Sequence, residues 1–469
     1  MGPEEQAATG TAGAGERDSI WRGVVLVVLG ALVLCWMGFY HCFPILSADT
    51  GSHLAMGYES TLYPGRSSVY GLFIRFVSQG ELLYLVILVQ GLLVSYLLYL
   101  HFRSFFRSRL WRYGFLSFVL LVSLTTAASF HVSHFLPDVF TATLFLSITW
   151  LLFAGQASTS ERIAVSSIFV FSLSTQISHL LIVPVSSAFV LLACLSRRVR
   201  SSLLDGVGKR WLLVAAMFGV GLVSIPSVHY LASGRFAITH GTSVYLVNRL
   251  LENGTLDGYL RERCRVEKYE LCRYRDAIPD NFLWDWRNSP LYKMGGWEAA
   301  EEDCGAIVWD VTLTPRYAWK NLLAAVEQSL VQLFSMDMRD AGMGEYTWTM
   351  MKKHLGRHVR KSNFAHCVCR LPDLDSLNDS QRAVVFLSIL LIAIAFSHAG
   401  LRKRIPADVA GLSWLMLSLW AANAFVCGAF AGVEERNQSR VAWLIVLPVF
   451  SIFFHRPVWA FIRRSWKGE

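Results

Sequence analysis

Long apolar runs separated by short charged connections set the pattern of this chain. A hydrocarbon core of about 30 Å needs roughly 17–25 apolar residues to cross it. Runs of that kind stand near 23–43, 82–100, 114–130, 139–154, 163–177, 179–195, 211–232, 383–400, 407–431 and 441–454. The pattern predicts an all-α polytopic membrane protein with about ten transmembrane helices. The first run is too long for the apolar region of a signal peptide and lacks a small-residue cleavage site, so it reads as a retained first helix. The pair at 163–195 reads equally as one long tilted helix broken near Ser178–His179. Four regions follow: a disordered cytoplasmic N-terminus over 1–22, a transmembrane module over 23–232, an extracytoplasmic insert over 233–382 between spans seven and eight, and C-terminal spans with a cytoplasmic tail over 383–469.

Charge then orients the spans. Of the 469 residues, 54% are hydrophobic and 16% charged, against about 25% charged in a soluble domain. The net charge of +9 does not point to nucleic acid, because much of the basic excess lies in a few connections. These hold Arg103, Arg107, Arg109 and Arg112; then Arg197, Arg198, Arg200, Lys209 and Arg210; then Arg402, Lys403 and Arg404; and finally Arg456, Arg463, Arg464 and Lys467. Ten spans and a cytoplasmic N-terminus put all four groups on the cytoplasmic side, as the positive-inside bias requires. The opposite face receives 44–81, 131–138, 233–382 and 432–440. The short tails and compact loops suit a bacterial inner membrane, with the site facing the periplasm. The glycosylation triplets at Asn253, Asn378 and Asn437 would matter only in a eukaryote.

Nine cysteines are scattered without a CxxC pair, which gives no zinc signature. Cys35, Cys42, Cys194 and Cys427 fall in or beside spans and read as small apolar residues. The insert carries Cys264 and Cys272, a candidate disulfide on the oxidising side, with Cys304, Cys367 and Cys369 further on. Within it, Tyr317–Phe334 places Leu322, Leu323, Val326, Leu330, Leu333 and Phe334 on one helical face. That face suits a helix lying on the membrane or under the insert, and packing into a core suits it equally.

Polar groups at the membrane boundary are the candidates for function, because a charge at the bilayer centre costs roughly 2.5–3.5 kcal/mol on insertion scales. One cluster follows span one: Ser47, Asp49, Thr50, Ser52 and His53, continuing through Glu59 to Tyr63-Pro-Gly-Arg66-Ser-Ser-Val-Tyr70. Asp49 or Ser52 also reads as the cap of a short helix, and 67–77 as an interfacial helix. The loop between spans three and four forms another cluster, with His131, His134, Pro137 and Asp138. Pro and Asp there also suit the first turn of span four. The last is the loop Glu434, Glu435, Arg436 to Arg440, which otherwise reads as a solvated turn. His179, at the break between spans five and six, is a weaker candidate on the same face.

These residues resemble a family pattern. A carboxylate in the loop after span one, a Pro-Gly-Arg-Ser-Ser-Val-Tyr stretch leading to span two and a Pro-Asp pair opening span four are similar to the GT-C superfamily. Its members are membrane glycosyltransferases that use polyprenyl-phosphate-linked sugars, among them the protein mannosyltransferases and the lipid A aminoarabinose transferases. The resemblance covers about the first 230 residues, and Arg436 to Arg440 match a late Arg-rich outer loop. The chain departs from the pattern in one respect. Many members pair two acids in the first loop, whereas Asp49 stands alone.

The resemblance implies a polyprenyl-phosphate sugar donor and a lipid, glycan or protein acceptor, with membrane lipid around both and no nucleic acid. Asp49 becomes the expected base of an inverting transfer, and Asp138 orients the acceptor or seconds the base. Arg66, Arg436 and Arg440 are expected on the phosphate, with His53, Tyr70, His134, His179 and Glu435 also binding substrate. The insert is expected to cover the site and choose the acceptor. No cofactor is assigned; a divalent metal lacks the paired acids that would bridge it, and no Gly-rich nucleotide loop follows a strand. The alternatives are a transporter or flippase of a lipid-linked substrate, or an inactive GT-C homologue. Against transport, the two halves show no inverted repeat.

Overall fold

The computed structural model describes residues 20–106, 110–204, 207–339, 342–361 and 371–467. The stretch to Ser19, Arg107, Arg109, Cys367 and Cys369 lie outside the described residues. The described residues form helices joined by turns and loops, with no strand among them and a single parallel bridge between Ile45 and His134. Four of the helices are long and apolar enough to cross a membrane: Leu83–Phe105, Gly208–Ser233, Leu374–Ser397 and Ala407–Ala431. Among the described residues, two bent pairs raise that number to as many as six if each pair is one span. Such helices are compatible with a multi-pass membrane protein, because a helix satisfies its own backbone in hydrocarbon.

Several expected spans take another form. The first apolar run is interrupted at Cys35, dividing Ile20–Leu34 from Trp36–Tyr40. Trp36 Nε1 donates to Ser123 O at 2.9 Å and Ser123 Oγ donates to Val33 O at 2.7 Å, which ties the break to the neighbouring helix. The third run ends as a helix at Thr125 rather than 130, and Ala128–Ser133 forms a separate short helix. The loop read as a tight outer turn at 131–138 is instead buried throughout. Its polar backbone is held by Gln90, whose Nε2 donates to Val132 O (2.8 Å) and His134 O (3.2 Å). The expected break near Ser178–His179 is present, and the helices on either side, Thr159–Thr175 and His179–Ala193, are bent by 114°. The pair reads as one broken span or as a re-entrant loop. The helix expected to begin at 383 begins at Leu374, where Asp373 accepts from the backbone N–H groups of Asp375 and Ser376.

Every residue of Val139–Phe153 is buried, as expected of a helix apolar on all sides placed at the centre of a bundle. The helix leads directly out of Asp138. It packs against Leu83–Phe105, Thr159–Thr175 and Ala407–Val426, so the centre of the bundle ends at a carboxylate.

The insert has its own core, including Val247, Leu256, Tyr259, Leu271, Phe282 and Ile307. Cys264 and Cys272 form the expected disulfide. The helix Pro315–Phe334 keeps Leu322, Leu323, Val326, Leu330 and Phe334 exposed. Phe334 stacks on Phe386 with ring centroids 6.1 Å apart. The face therefore continues the exposed apolar side of Leu374–Ser397, where Phe386, Leu387 and Leu390 lie. Most of that face is not packed into the insert core, while Leu333 packs against the core of the bundle.

Candidate functional site

Asp49 sits at the start of the helix Thr50–Tyr58, but its side chain makes no cap. The loop is pinned instead by Thr50, whose Oγ1 accepts from Ser47 N at 3.0 Å and donates to Phe135 O at 3.3 Å. Thr347, from the helix Glu345–Lys361, closes the other side. Its Oγ1 lies 2.7 Å from Ala48 O and 3.1 Å from Ser47 O, and accepts from Gly51 N. The carboxylate that could have capped a helix is thereby left free to meet other groups.

The turn Tyr63-Pro-Gly-Arg66 delivers one of them. Gly65 has φ +68°, a conformation that costs glycine little, and its N–H donates to His240 O at 3.0 Å. Beyond it, Ser67 Oγ accepts from Val69 N and starts the helix Ser68–Ser78, close to the expected one. That helix crosses Thr50–Tyr58 at a pair of glycines. A Cβ on Gly57 would stand 2.3 Å from Gly71 O, so no larger residue fits. Arg66 is left facing Asp49, with Nη2 2.6 Å from Oδ1.

The last loop supplies the rest. Gln332 and Glu434 exchange hydrogen bonds of 2.9 and 2.8 Å and fix the approach to the helix Glu435–Ala442. Arg436 and Arg440 are four apart in it and share one face. Arg436 Nη2 lies 2.9 Å from Asp49 Oδ2, and its Nε lies 3.6 Å from Asp138 Oδ2. Arg440 Nη1 reaches Asp138 Oδ1 and Gln176 Oε1, both at 3.0 Å, and its Nη2 reaches Asn423 Oδ1 at 3.0 Å. Three segments far apart in sequence thus form one chain, Arg66–Asp49–Arg436–Asp138–Arg440. Three guanidiniums face two carboxylates along it.

Depth separates its two ends. The Asp49 side chain is 29% exposed, while those of Asp138 and Arg440 are 3% and 0% exposed. A cavity of about 1170 Å³ opens on the exposed end. Asp49, Arg66, Glu435 and Arg436 line it, together with Tyr245, Arg249, Trp284 and Trp297 of the insert. Burial alone would raise the Asp49 carboxyl, but Arg66 and Arg436 outweigh it and hold the group well below the usual carboxylate range. Arg436 is itself raised: burial opposes its charge, and Asp138 and Asp49 prevail.

The other candidates separate on the same criterion. Arg440 and Asp138 lie behind the cavity, so Arg440 neutralises Asp138 rather than meeting a substrate phosphate. His179 is fully buried, with Nδ1 2.7 Å from Ser172 O and Nε2 2.8 Å from Thr141 Oγ1, and does not line the cavity. Tyr70 Oη donates to Gln90 Oε1 at 2.9 Å inside the bundle. His53 is buried edge-on against Tyr70, and burial followed by Arg66 lowers it to about 3, leaving it neutral. Neither ring nitrogen of the buried His134 has a hydrogen-bond partner. None of these four lines the cavity. Glu435 does line the cavity, paired with Arg339 at 2.9 Å.

Asp49 has each oxygen on a guanidinium, and among the described residues no group of three or more His, Cys, Asp or Glu could hold a metal ion. This donor set does not fit a bridged divalent metal.

Sequence reading missed Asn423, Gln176 and Gln90, although Asn423 and Gln90 interrupt apolar runs and were open to the argument applied to charged groups. It also missed Arg249, whose Nη2 reaches Gly428 O at 2.9 Å and ties the insert to the bundle. Trp284 carries no periodic signal at all. No family model matches the chain, and neither the curated proteins nor the solved structures contain a match to it.

Proposed function

We propose that the chain is a membrane glycosyltransferase of the GT-C kind, with about ten spans, moving a sugar from a polyprenyl-phosphate donor to an acceptor at the outer face. The observation that carries this reading is the carboxylate of Asp49 on a large cavity, flanked there by Arg66 and Arg436.

Transfer requires an acceptor hydroxyl or amine to attack the anomeric carbon as the bond to the donor phosphate breaks. Asp49 takes the proton released by the acceptor. The electron pair of the broken bond leaves on the phosphate of the polyprenyl chain. One displacement with one base inverts the anomeric centre and needs no covalent intermediate. Arg66 and Arg436 are the groups for the phosphate, since a guanidinium matches two phosphate oxygens at once. An arriving phosphate draws on the same donors that now satisfy Asp49. The carboxylate then regains basicity as the donor binds, because the opposite charges that depress it are shared.

An apolar groove supports the lipid part of the reading. It measures about 770 Å³ and is lined by Val69, Ile163, Val170, Phe171, Leu213 and Met217, among others. The groove also reaches Ser174, whose carbonyl accepts from Ser67 Oγ at 2.6 Å, one residue from Arg66. A prenyl chain in it would bring its phosphate toward the arginine.

The test is to supply the purified full chain, in detergent and in sealed vesicles, with polyprenyl-phosphate glucose, mannose and aminoarabinose. Sugar transfer with release of polyprenyl phosphate supports the reading. Movement of intact lipid-linked sugar across the vesicle without transfer overturns it in favour of a transporter.

A further inference from the structure

The insert's wall of the cavity differs in chemistry from the Asp49 wall. Trp284 is 56% exposed, a large ring offered to solvent. Its ring lies 5.8 Å from that of Trp297, which in turn lies 5.0 Å from Tyr245. Asp280, Asn281, Asn248 and Glu252 lie along the same cavity. The aromatic run is not a mobile tip. Phe282 and Leu283, immediately before Trp284, are buried in the insert core. Tyr292 Oη donates to Leu283 O at 2.8 Å, and Ser289 Oγ donates to Phe282 O at 2.6 Å. The backbone that carries the indole is therefore held in place before any ligand arrives, which lowers the ordering cost of binding. Tyr245 Oη also donates to Pro64 O at 3.4 Å, joining this wall to the turn that carries Arg66.

We propose that this wall is an acceptor subsite for the saccharide part of a glycan, with Trp284 as its stacking platform. The proposal rests on the transferase reading for the word acceptor, and on the cavity alone for the word saccharide. A pyranose presents a flat face of C–H groups and a rim of hydroxyls. An exposed ring face beside carboxylates and amides matches both at once. An extended peptide would want an unpaired strand edge, and no strand occurs among the described residues. A lipid chain would want an apolar wall, which the carboxylates and amides here interrupt. At about 1170 Å³ the cavity exceeds the usual small-ligand range of roughly 300–1,000 Å³ and has room for more than one sugar ring.

The experiment uses the full chain in detergent. Binding of chitotriose, mannotriose, galactotriose and arabinotriose is followed by saturation-transfer NMR and calorimetry. Wild type, Trp284→Ala, Trp284→Tyr and Asp49→Asn are compared, with a hydroxyl-bearing peptide as the control ligand. At least one trisaccharide is expected to bind wild type. Trp284→Ala should weaken it about tenfold or more, while Trp284→Tyr stays close to wild type. Asp49→Asn, which alters only the contact with the acceptor hydroxyl, should weaken binding less than Trp284→Ala does. No trisaccharide binding, equal binding by Trp284→Ala, or preference for the peptide would overturn the proposal. Because Trp284 is exposed, loss of binding is checked against an unchanged unfolding midpoint. The two readings fail separately. Transfer that survives Asp49→Asn removes the catalytic assignment without touching trisaccharide binding, and binding that survives Trp284→Ala removes the subsite without touching transfer.

Discussion

Arg436 Nη2 lies 2.9 Å from Asp49 Oδ2, although 387 residues separate them in sequence. That contact joins the first polar loop to the last, and Arg436 Nε carries the link on to Asp138 at 3.6 Å. Replacing Arg436 by Ala removes a cation from both carboxylates and, on the proposed mechanism, from the leaving phosphate. We expect kcat/KM to fall about 100-fold or more. Arg436→Lys should recover only part of this, because a point charge cannot serve two carboxylates as the guanidinium fork does. Steady-state kinetics of the purified variants decides it, and full activity in Arg436→Ala would contradict the phosphate role.

Arg440 answers to a different measurement. Its side chain is fully buried and serves Asp138, Gln176 and Asn423. Removing one partner of a buried ion pair costs about 3–5 kcal/mol, because the other charge stays buried and unpaired. Arg440→Met should lower the unfolding midpoint sharply, and Arg440→Met with Asp138→Asn should regain part of the loss. Equal stability of all three proteins would contradict the assignment of Arg440 to structure.

The pH dependence follows from the two guanidiniums on Asp49. Its folded-state pKa is depressed, so the stabilisation it provides is present above the unfolded value of about 3.9 and is lost only as pH falls below that. Asp49 is therefore ionised in the free protein across the neutral range. The profile of kcat/KM, which reports the free enzyme, should show no acid limb from Asp49 above about pH 5. An acid limb near pH 6 that shifts in Arg66→Lys would contradict this.

The groove makes a prediction about chain length. Met217 lines it on Gly208–Ser233, facing Phe171 and Val170 on Thr159–Thr175. Met217→Trp should fill part of the space and raise KM about tenfold for a long polyprenyl donor, while barely changing it for a donor truncated to about ten carbons. Equal effects on both donors would place the lipid elsewhere.

Much of the site was legible in the sequence because charges next to apolar runs are costly and therefore rare. Asp49, Arg66 and Arg436 were each visible that way. Their depth was not. Nothing local distinguishes Arg436 from Arg440, and only the packing of Val139–Phe153 and Ala407–Val426 decides that one meets the cavity and the other the core. The span boundaries failed for a related reason. Hydropathy does not register a break at Cys35 or a buried loop at 131–138, since both keep apolar residues while carbonyls such as Val33 O and Val132 O accept from Ser123 and Gln90. Tyr70 and His179 are buried on protein partners, and a polar side chain that serves a neighbour looks the same in sequence as one that serves a ligand. The aromatic wall draws Tyr245 and Trp297 from two helices of the insert and Trp284 from a turn, where periodicity carries no information.

The central claim is that Asp49 takes the proton of the acceptor during sugar transfer. It is tested most directly by single-turnover transfer from a radiolabelled polyprenyl-phosphate sugar, comparing wild type with Asp49→Asn at equal donor binding. The account predicts that Asn, which accepts a hydrogen bond but not a proton, lowers the rate about 100- to 10,000-fold while the donor still binds. An Asp49→Asn protein that transfers sugar at the wild-type rate would contradict it.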